Sequence, residues 1–186
     1  HLRMDDFEYR EVPMPSAPLA AGEMRIRNVV FLCAPTMRNW MDPPGNSFYP
    51  SIPLGQPIFA PSVGRVVESN NPDFKPGDRV FAFSSWQDYS TVGGAAVRAP
   101  TKLVDGISFV DAMGRYGLNP ITAYFGLLDV GAAQAGETLV VSGAAGSTGS
   151  TAAQIGKIKG MTVVGIAGGP EKCAWLKNDC GLDGVI

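Results

Sequence analysis

Thr138-Leu139-Val140-Val141-Ser142 runs directly into Gly143-Ala144-Ala145-Gly146-Ser147-Thr148-Gly149, and from there into Ser150-Thr151-Ala152-Ala153-Gln154-Ile155-Gly156-Lys157-Ile158. The opening run is apolar and β-branched, the composition of a short strand buried on both faces. The closing run carries small residues on one side at helical spacing, and Met161-Thr162-Val163-Val164-Gly165-Ile166 reads as a second strand. Gly168-Gly169 and a further helical stretch follow, and Gly184-Val185-Ile186 reads as the start of another buried strand. Strand, glycine turn, helix, strand, glycine turn, helix is the order of parallel βαβ units.

Within the turn, Ala144-x-Gly146-x-x-Gly149 fits a dinucleotide fingerprint with alanine in place of the first glycine. Each position has a physical task. The first calls for a small residue in a tight turn, Gly146 lets a pyrophosphate approach the backbone, and Gly149 lets the helix pack closely on the strand. The free N–H groups and positive end of the helix then hold phosphate, with Ser147 and Thr148 facing it. An ordinary strand-to-helix turn would explain a lone glycine triplet, but not a triplet placed in a full βαβ frame.

An enzyme that uses NAD places Asp or Glu at the end of the second strand, about 20 residues on, to bind the ribose 2′-hydroxyl. That strand ends here in Gly165-Ile166-Ala167-Gly168-Gly169, with no carboxylate. The absent acid leaves room for a 2′-phosphate and points to NADP(H). Glu171-Lys172 follows, and Lys172 is the nearest charge partner for such a phosphate. On the residues alone Lys172 reads equally well as an exposed first-turn lysine, and Glu171 as an acid at a helix start.

The rest of the chain is different in character. Phe7 to Val12 and Met24 to Phe31 alternate as strands do, and Val63 to Glu68, Arg79 to Phe83 and Asp88 to Val92 add three more. Lys75-Pro76-Gly77-Asp78 places Pro and Gly at the centre of a tight turn. The stretch from Pro35 to Pro61 holds seven prolines and reads as a long irregular loop. Asp111 to Arg115 reads as a short helix, and Pro120 to Leu128 as a buried helix that starts at its proline. A β-rich domain over residues 1–116 and a nucleotide-binding domain over 117–186 follow from this change of pattern.

Composition narrows the partners. Hydrophobic residues make up 45% and charged residues 17% of 186, which suits a soluble globular chain. A net charge of −2 without a Lys/Arg run argues against a nucleic-acid or anionic-membrane partner, and no apolar stretch reaches the roughly 18 to 20 residues of a membrane span. The N-terminus lacks the pattern of a secretory signal. Cys33, Cys173 and Cys180 have no metal-ligand spacing and read as free thiols in a reducing cytoplasm. Cys173 and Cys180 fall on one face of an expected helix, which is core packing. His1 is the sole histidine, so a Ser-His-Asp relay cannot be assembled, and the lack of suitably grouped Cys, His and Glu argues against a catalytic zinc site. What remains is metal-free hydride transfer, in which the cofactor carries the reactive atom.

Three groups of residues carry a family resemblance. They are Ile121-Thr122-Ala123-Tyr124-Phe125-Gly126-Leu127-Leu128-Asp129-Val130-Gly131, the Ala135-Gly136-Glu137-Thr138 lead into the glycine loop, and Val164-Gly165-Ile166-Ala167-Gly168-Gly169-Pro170-Glu171-Lys172-Cys173. Together they resemble the zinc-independent medium-chain reductases, and within these the NADPH-dependent alkenal/one oxidoreductases, the prostaglandin reductase and plant double-bond reductase group. Phe74-Lys75-Pro76-Gly77-Asp78-Arg79-Val80, Trp86-Gln87-Asp88-Tyr89 and Met37-Arg38-x-Trp40-Met41 resemble the same group.

The resemblance implies an α/β protein, with a GroES-like β domain followed by the first part of a Rossmann doubly wound parallel sheet. It implies NADPH-linked reduction of the carbon–carbon double bond of α,β-unsaturated aldehydes or ketones. Gly146, Ser147, Thr148 and Gly149 would hold the pyrophosphate and Lys172 the 2′-phosphate. Thr122 would sit near the nicotinamide, or else bond its own helix backbone. Met37 and Arg38 would lie at the domain cleft, although an ion pair is the simpler role for Arg38. A homodimer is implied for the full-length family form. Two positions depart from the family: Ala34 stands where it has Asp in an Asp-Pro-x-Met-Arg string, and Asn119-Pro120 where it tends to Pro-Gly.

The catalytic residues are unknown from this stretch. Tyr49, Tyr89, Tyr116 and Tyr124 qualify by type only, and packing is the simpler role for each. A quinone reductase of the same superfamily is the rival activity, and an inactive NADPH-binding protein the rival from another class. The opening without Met and the close on a strand start lead to the expectation of a piece of a longer enzyme. As an isolated chain it is expected to be inactive, to bind NADPH poorly and to aggregate.

Overall fold

The computed structural model describes residues 3–45, 51–94 and 98–186, so His1 and Tyr49 lie outside the described residues. The chain divides into two compact units, His1–Phe109 and Val110–Ile186, a division that falls ahead of Gly117.

The first unit is built on β1 (Glu23–Phe31), β2 (Phe59–Ser69), β3 (Arg79–Ser85), β4 (Tyr89–Gly93) and β5 (Thr101–Lys102). They form one antiparallel sheet in the order β4-β1-β2-β3-β5. The register of β1 on β2 shifts twice, between Arg25 and Ile26 and between Asn28 and Val30. At that crossing Gly64 faces the backbone of β1, where a Cβ would stand 2.3 Å from the Arg27 carbonyl oxygen, so only glycine fits. Met24, Ile26, Val66, Val80, Ala82 and Val92 form the core. The expected turn is present: the Asp78 N–H donates to the Lys75 carbonyl at 3.0 Å with Gly77 at φ +93°. The Asp78 carboxylate takes the Lys75 N–H and pairs with Lys102, which holds its pKa below the usual range.

A polar ladder crosses this sheet. Ser62 and Ser84 share a 2.7 Å hydrogen bond, Ser84 Oγ donates to Asn28 Oδ1 at 2.9 Å, and Asn28 Nδ2 donates to Ser90 Oγ at 3.0 Å. The three serines are buried, so their hydroxyls need these partners.

Two expectations fail here. Phe7 to Val12 forms no strand; it is extended, exposed chain whose alternation finds no sheet to face. The proline-rich stretch is not wholly irregular, because α1 (Met37–Trp40) forms within it. Trp40 stacks on Phe59 with ring centroids 5.1 Å apart, and that burial holds the turn.

The division falls just after the first residue of α2 (Phe109–Met113), and α3 (Leu118–Tyr124) follows, then a π-helical turn over Phe125–Val130. Then come β6 (Thr138–Ser142), α4 (Ser147–Ile158), β7 (Thr162–Ile166), α5 (Pro170–Asn178) and β8 (Gly184–Val185). The strands pair in parallel in the order β6-β7-β8, as the βαβ pattern requires. The core gathers Val141, Ala144, Ala153, Met161, Val163, Leu176 and Leu182. At Gly156 of α4 a Cβ would meet Leu139 at 2.7 Å and Val163 at 3.0 Å, so glycine sets how closely α4 lies on the sheet.

The expectation of burial on both faces is corrected for β6. Val141 is buried while Val140 is 59% exposed, and Ile166 on β7 is 39% exposed. The buried and open positions alternate, because the described helices cover only alternate residues of these strands. Likewise α3 begins at Leu118 rather than at Pro120, and it is not buried: Leu118, Ile121 and Tyr124 are all about half exposed. Tyr116 is also about half exposed, and Tyr124 packs edge-to-face on Phe125 with ring centroids 5.3 Å apart. Cys180 lies beyond the end of α5 rather than on it, packed at the edge of the core where burial pushes its thiol pKa up. No helix among the described residues is long and apolar enough to cross a membrane.

Candidate functional site

The glycine loop is shaped by three residues with separate tasks. Gly143 takes φ +62°, so the left-handed turn off β6 belongs to it and not to Ala144. Ala144 is instead fully buried; a Cβ on Gly165 would come within 2.9 Å of the Ala144 Cβ. The Ala144 N–H donates to the Ile166 carbonyl at 3.0 Å and ties the loop to the end of β7. Sequence reasoning assigned the turn to Ala144; the signal for Gly143 was a glycine placed directly after the last strand residue.

Gly149 and Gly146 differ in what demands them. A Cβ on Gly149 would stand 2.4 Å from the Gly143 carbonyl oxygen and 3.0 Å from Ala144 Cα, so the protein's own packing requires glycine there. A Cβ on Gly146 would meet only the Gly143 oxygen, at 3.2 Å. Gly146 is exposed and caps α4, and no side chain closes that helix end. The first-turn amides of Ser147, Thr148 and Gly149 therefore face outward without a capping side chain, the arrangement that receives an anion. The protein's own packing presses less on a side chain at 146 than at 149, which leaves the backbone at 146 open to a ligand. On this observation the loop fits a dinucleotide.

Two shallow grooves flank the loop. One is lined by Ala145, Glu171, Lys172 and Trp175. Gly169 at φ +87° turns the chain off β7, and Pro170 starts α5, which brings Lys172 into the first turn of that helix. Lys172 has no ion-pair partner among the described residues. The other groove includes Thr122, Gly126, Val140 and Ser142, on the side where β6 runs into the loop. Thr122 Oγ1 donates to the Leu118 carbonyl at 2.8 Å, so its hydroxyl is engaged by its own helix. Gly146, Ser147, Thr148, Gly149 and Lys172 thus gather about one loop, while Thr122 borders the neighbouring groove.

The remaining candidates have structural contacts. Met37 is buried, with its sulfur 3.4 Å from the Ala34 nitrogen, and Arg38 pairs with Asp42 one turn on. Cys173 Sγ lies 3.6 Å from the Ala167 carbonyl. Among the described residues no cluster of His, Cys, Asp and Glu comes together that could hold a metal.

Comparison with known proteins gives the same outline. Residues 1–99 match a family described as the N-terminal domain of oxidoreductase. The chain is 43% identical over 164 residues to the NADPH-dependent curcumin reductase of Escherichia coli (strain K12), covering 87% of this chain and 46% of that protein. It is 39% identical over 174 residues to prostaglandin reductase 1 of Bos taurus, covering 93% and 50% respectively. CurA from Vibrio vulnificus solved in complex with NADPH superposes with a TM-score of 0.80 at 36% identity, over 96% of this chain and 51% of that one. The chain spans about half the length of the curated relatives it matches.

Proposed function

This chain belongs to the zinc-independent medium-chain reductase family, and from that premise we propose that it contributes the NADP(H) site of an enzyme that reduces the carbon–carbon double bond of α,β-unsaturated aldehydes or ketones. The observation that carries the cofactor half is the end of β7. No carboxylate stands there, and the unpaired ammonium of Lys172 borders the groove next to the loop. In this reading the amides of Ser147, Thr148 and Gly149, with the bare backbone at Gly146, hold the pyrophosphate. Lys172 holds the 2′-phosphate, and Thr122 borders the nicotinamide end. When bound, the reduced nicotinamide supplies a hydride for the β-carbon of the substrate. The substrate half is supported by the relatives, whose names include curcumin, prostaglandin and 2-alkenal reductases. A homodimer and a reducing cytoplasmic setting complete the proposal, the latter suited to three free thiols.

The test uses the protein that carries this chain. NADPH oxidation with an enone should yield the saturated carbonyl compound, with NADPH preferred over NADH. Oxidation of NADPH by a quinone, with no turnover of any enone or enal, would replace this reading with the quinone reductase alternative. Gly146→Ala separates ligand from fold: NADPH affinity should fall at least about tenfold while stability changes by less than about 1 kcal/mol.

A further inference from the structure

Trp175 is 41% exposed, unusual for the side chain with the most apolar area to hide. It lies three residues after Lys172 on α5, which puts the two side chains on one face of the helix. Both line the groove that Ala145 brings beside the glycine loop. Among the described residues the indole N–H has no hydrogen-bond partner and no ring stacks on it. An indole offers one donor and no acceptor, and Lys172 offers only donors. Two side chains with unpaired donors, one helical turn apart, therefore line one groove beside the glycine loop. Glu171 lines it too and sets an acid against any anion there.

We propose that Trp175 is a cofactor-specificity residue, whose indole N–H donates to the 2′-phosphate that Lys172 pairs with. The inference rests on the NADP(H) reading above and adds a second contact to it. Lysine acts on phosphate as a mobile point charge with little geometric selectivity. An indole donor one turn away has a single N–H direction, and it favours a 2′-phosphate over a 2′-hydroxyl because a hydrogen bond to a charged acceptor is the stronger one.

The experiment measures dissociation constants for NADPH and NADH by calorimetry on the full-length protein, comparing wild type with Trp175→Phe, Trp175→Ala and Lys172→Ala. Phenylalanine keeps a ring and removes the donor. Trp175→Phe should weaken NADPH about tenfold and leave NADH within about twofold. Trp175→Ala should do the same. Trp175→Phe that binds NADPH like wild type, in a protein that still prefers NADPH, overturns the Trp175 assignment alone. Equal weakening of NADPH and NADH by Trp175→Ala, with Trp175→Phe silent, overturns it in favour of a stacking surface. Wild-type protein without preference between the two cofactors, unchanged by Lys172→Ala, overturns the cofactor reading itself.

Discussion

In the antiparallel sheet the central strand β2 buries Ala60, Ser62, Val63 and Val66, and the Ser62 hydroxyl is enclosed and paired. In the parallel sheet the central strand β7 buries Val163 and Gly165 and leaves Ile166 partly in solvent, while β6 buries Val141 and exposes Val140. The difference is in how each sequence is written. The strands of the first unit mix polar and apolar positions, and Met24, Ile26, Val66 and Val80 are enclosed while Arg65 and Glu68 stay in solvent. The strands of the second are apolar at successive positions, as strands between two layers are, and the described helices cover alternate residues only.

Several substitutions test this contrast. The largest effect is expected from Gly165→Val, whose side chain would enter space held by Leu182 and Ala144, within 2.7 and 2.9 Å of a Cβ. Overpacking on the covered face should cost about 3 kcal/mol, read by urea denaturation. Next, Val66→Ala should cost about 2 kcal/mol because Val66 is 1% exposed, whereas Val140→Ala in this chain should cost less than about 0.5 kcal/mol. Equal losses for the two would erase the distinction between the sheets. Asn28→Ala, which removes the middle of the polar ladder, should cost about 1 to 2 kcal/mol, and no comparable cost should attach to Ser142 on β6.

The smallest effect concerns acid. Each unit carries a carboxylate whose pKa is lowered: Asp78 by the Lys75 N–H and then Lys102, and Asp183 by Lys157 and then the Val163 N–H. A carboxyl with a lower pKa when folded adds stability above its ordinary range and loses it as pH falls through the folded value. Asp183→Asn should therefore flatten the fall in melting temperature below the carboxylate range for the second unit and leave neutral-pH binding unchanged.

What was legible in the sequence follows the same divide. The βαβ order, the tight turn at Lys75 to Asp78 and the strand at Met24 to Phe31 were readable because local pattern and final environment agree. Phe7 to Val12 alternates like a strand yet pairs with nothing, since alternation names a face but not a partner. The glycine loop was readable as a loop. Its division of labour was not, because a three-dimensional clash such as Gly149 against the Gly143 carbonyl leaves no trace in spacing. Trp175 gave no motif signal; only its exposure beside Lys172 sets it apart.

The π-helical turn at Phe125–Val130 bears on how such chains change in length. It is closed by the Gly131 N–H donating to the Gly126 carbonyl at 2.9 Å, one residue more per ring than an α turn. Ala132 follows it at φ +47°, the one non-glycine residue with positive φ among those described. Removal of a single residue here would restore α geometry and turn everything before it by about 100° about the helix axis. Thr122 would swing away from Val140 and Ser142 while the phosphate loop kept its shape. The turn thus works as an indexing notch: it fixes the rotational phase between the two grooves, and a one-residue deletion is the lesion to which that phase is most exposed.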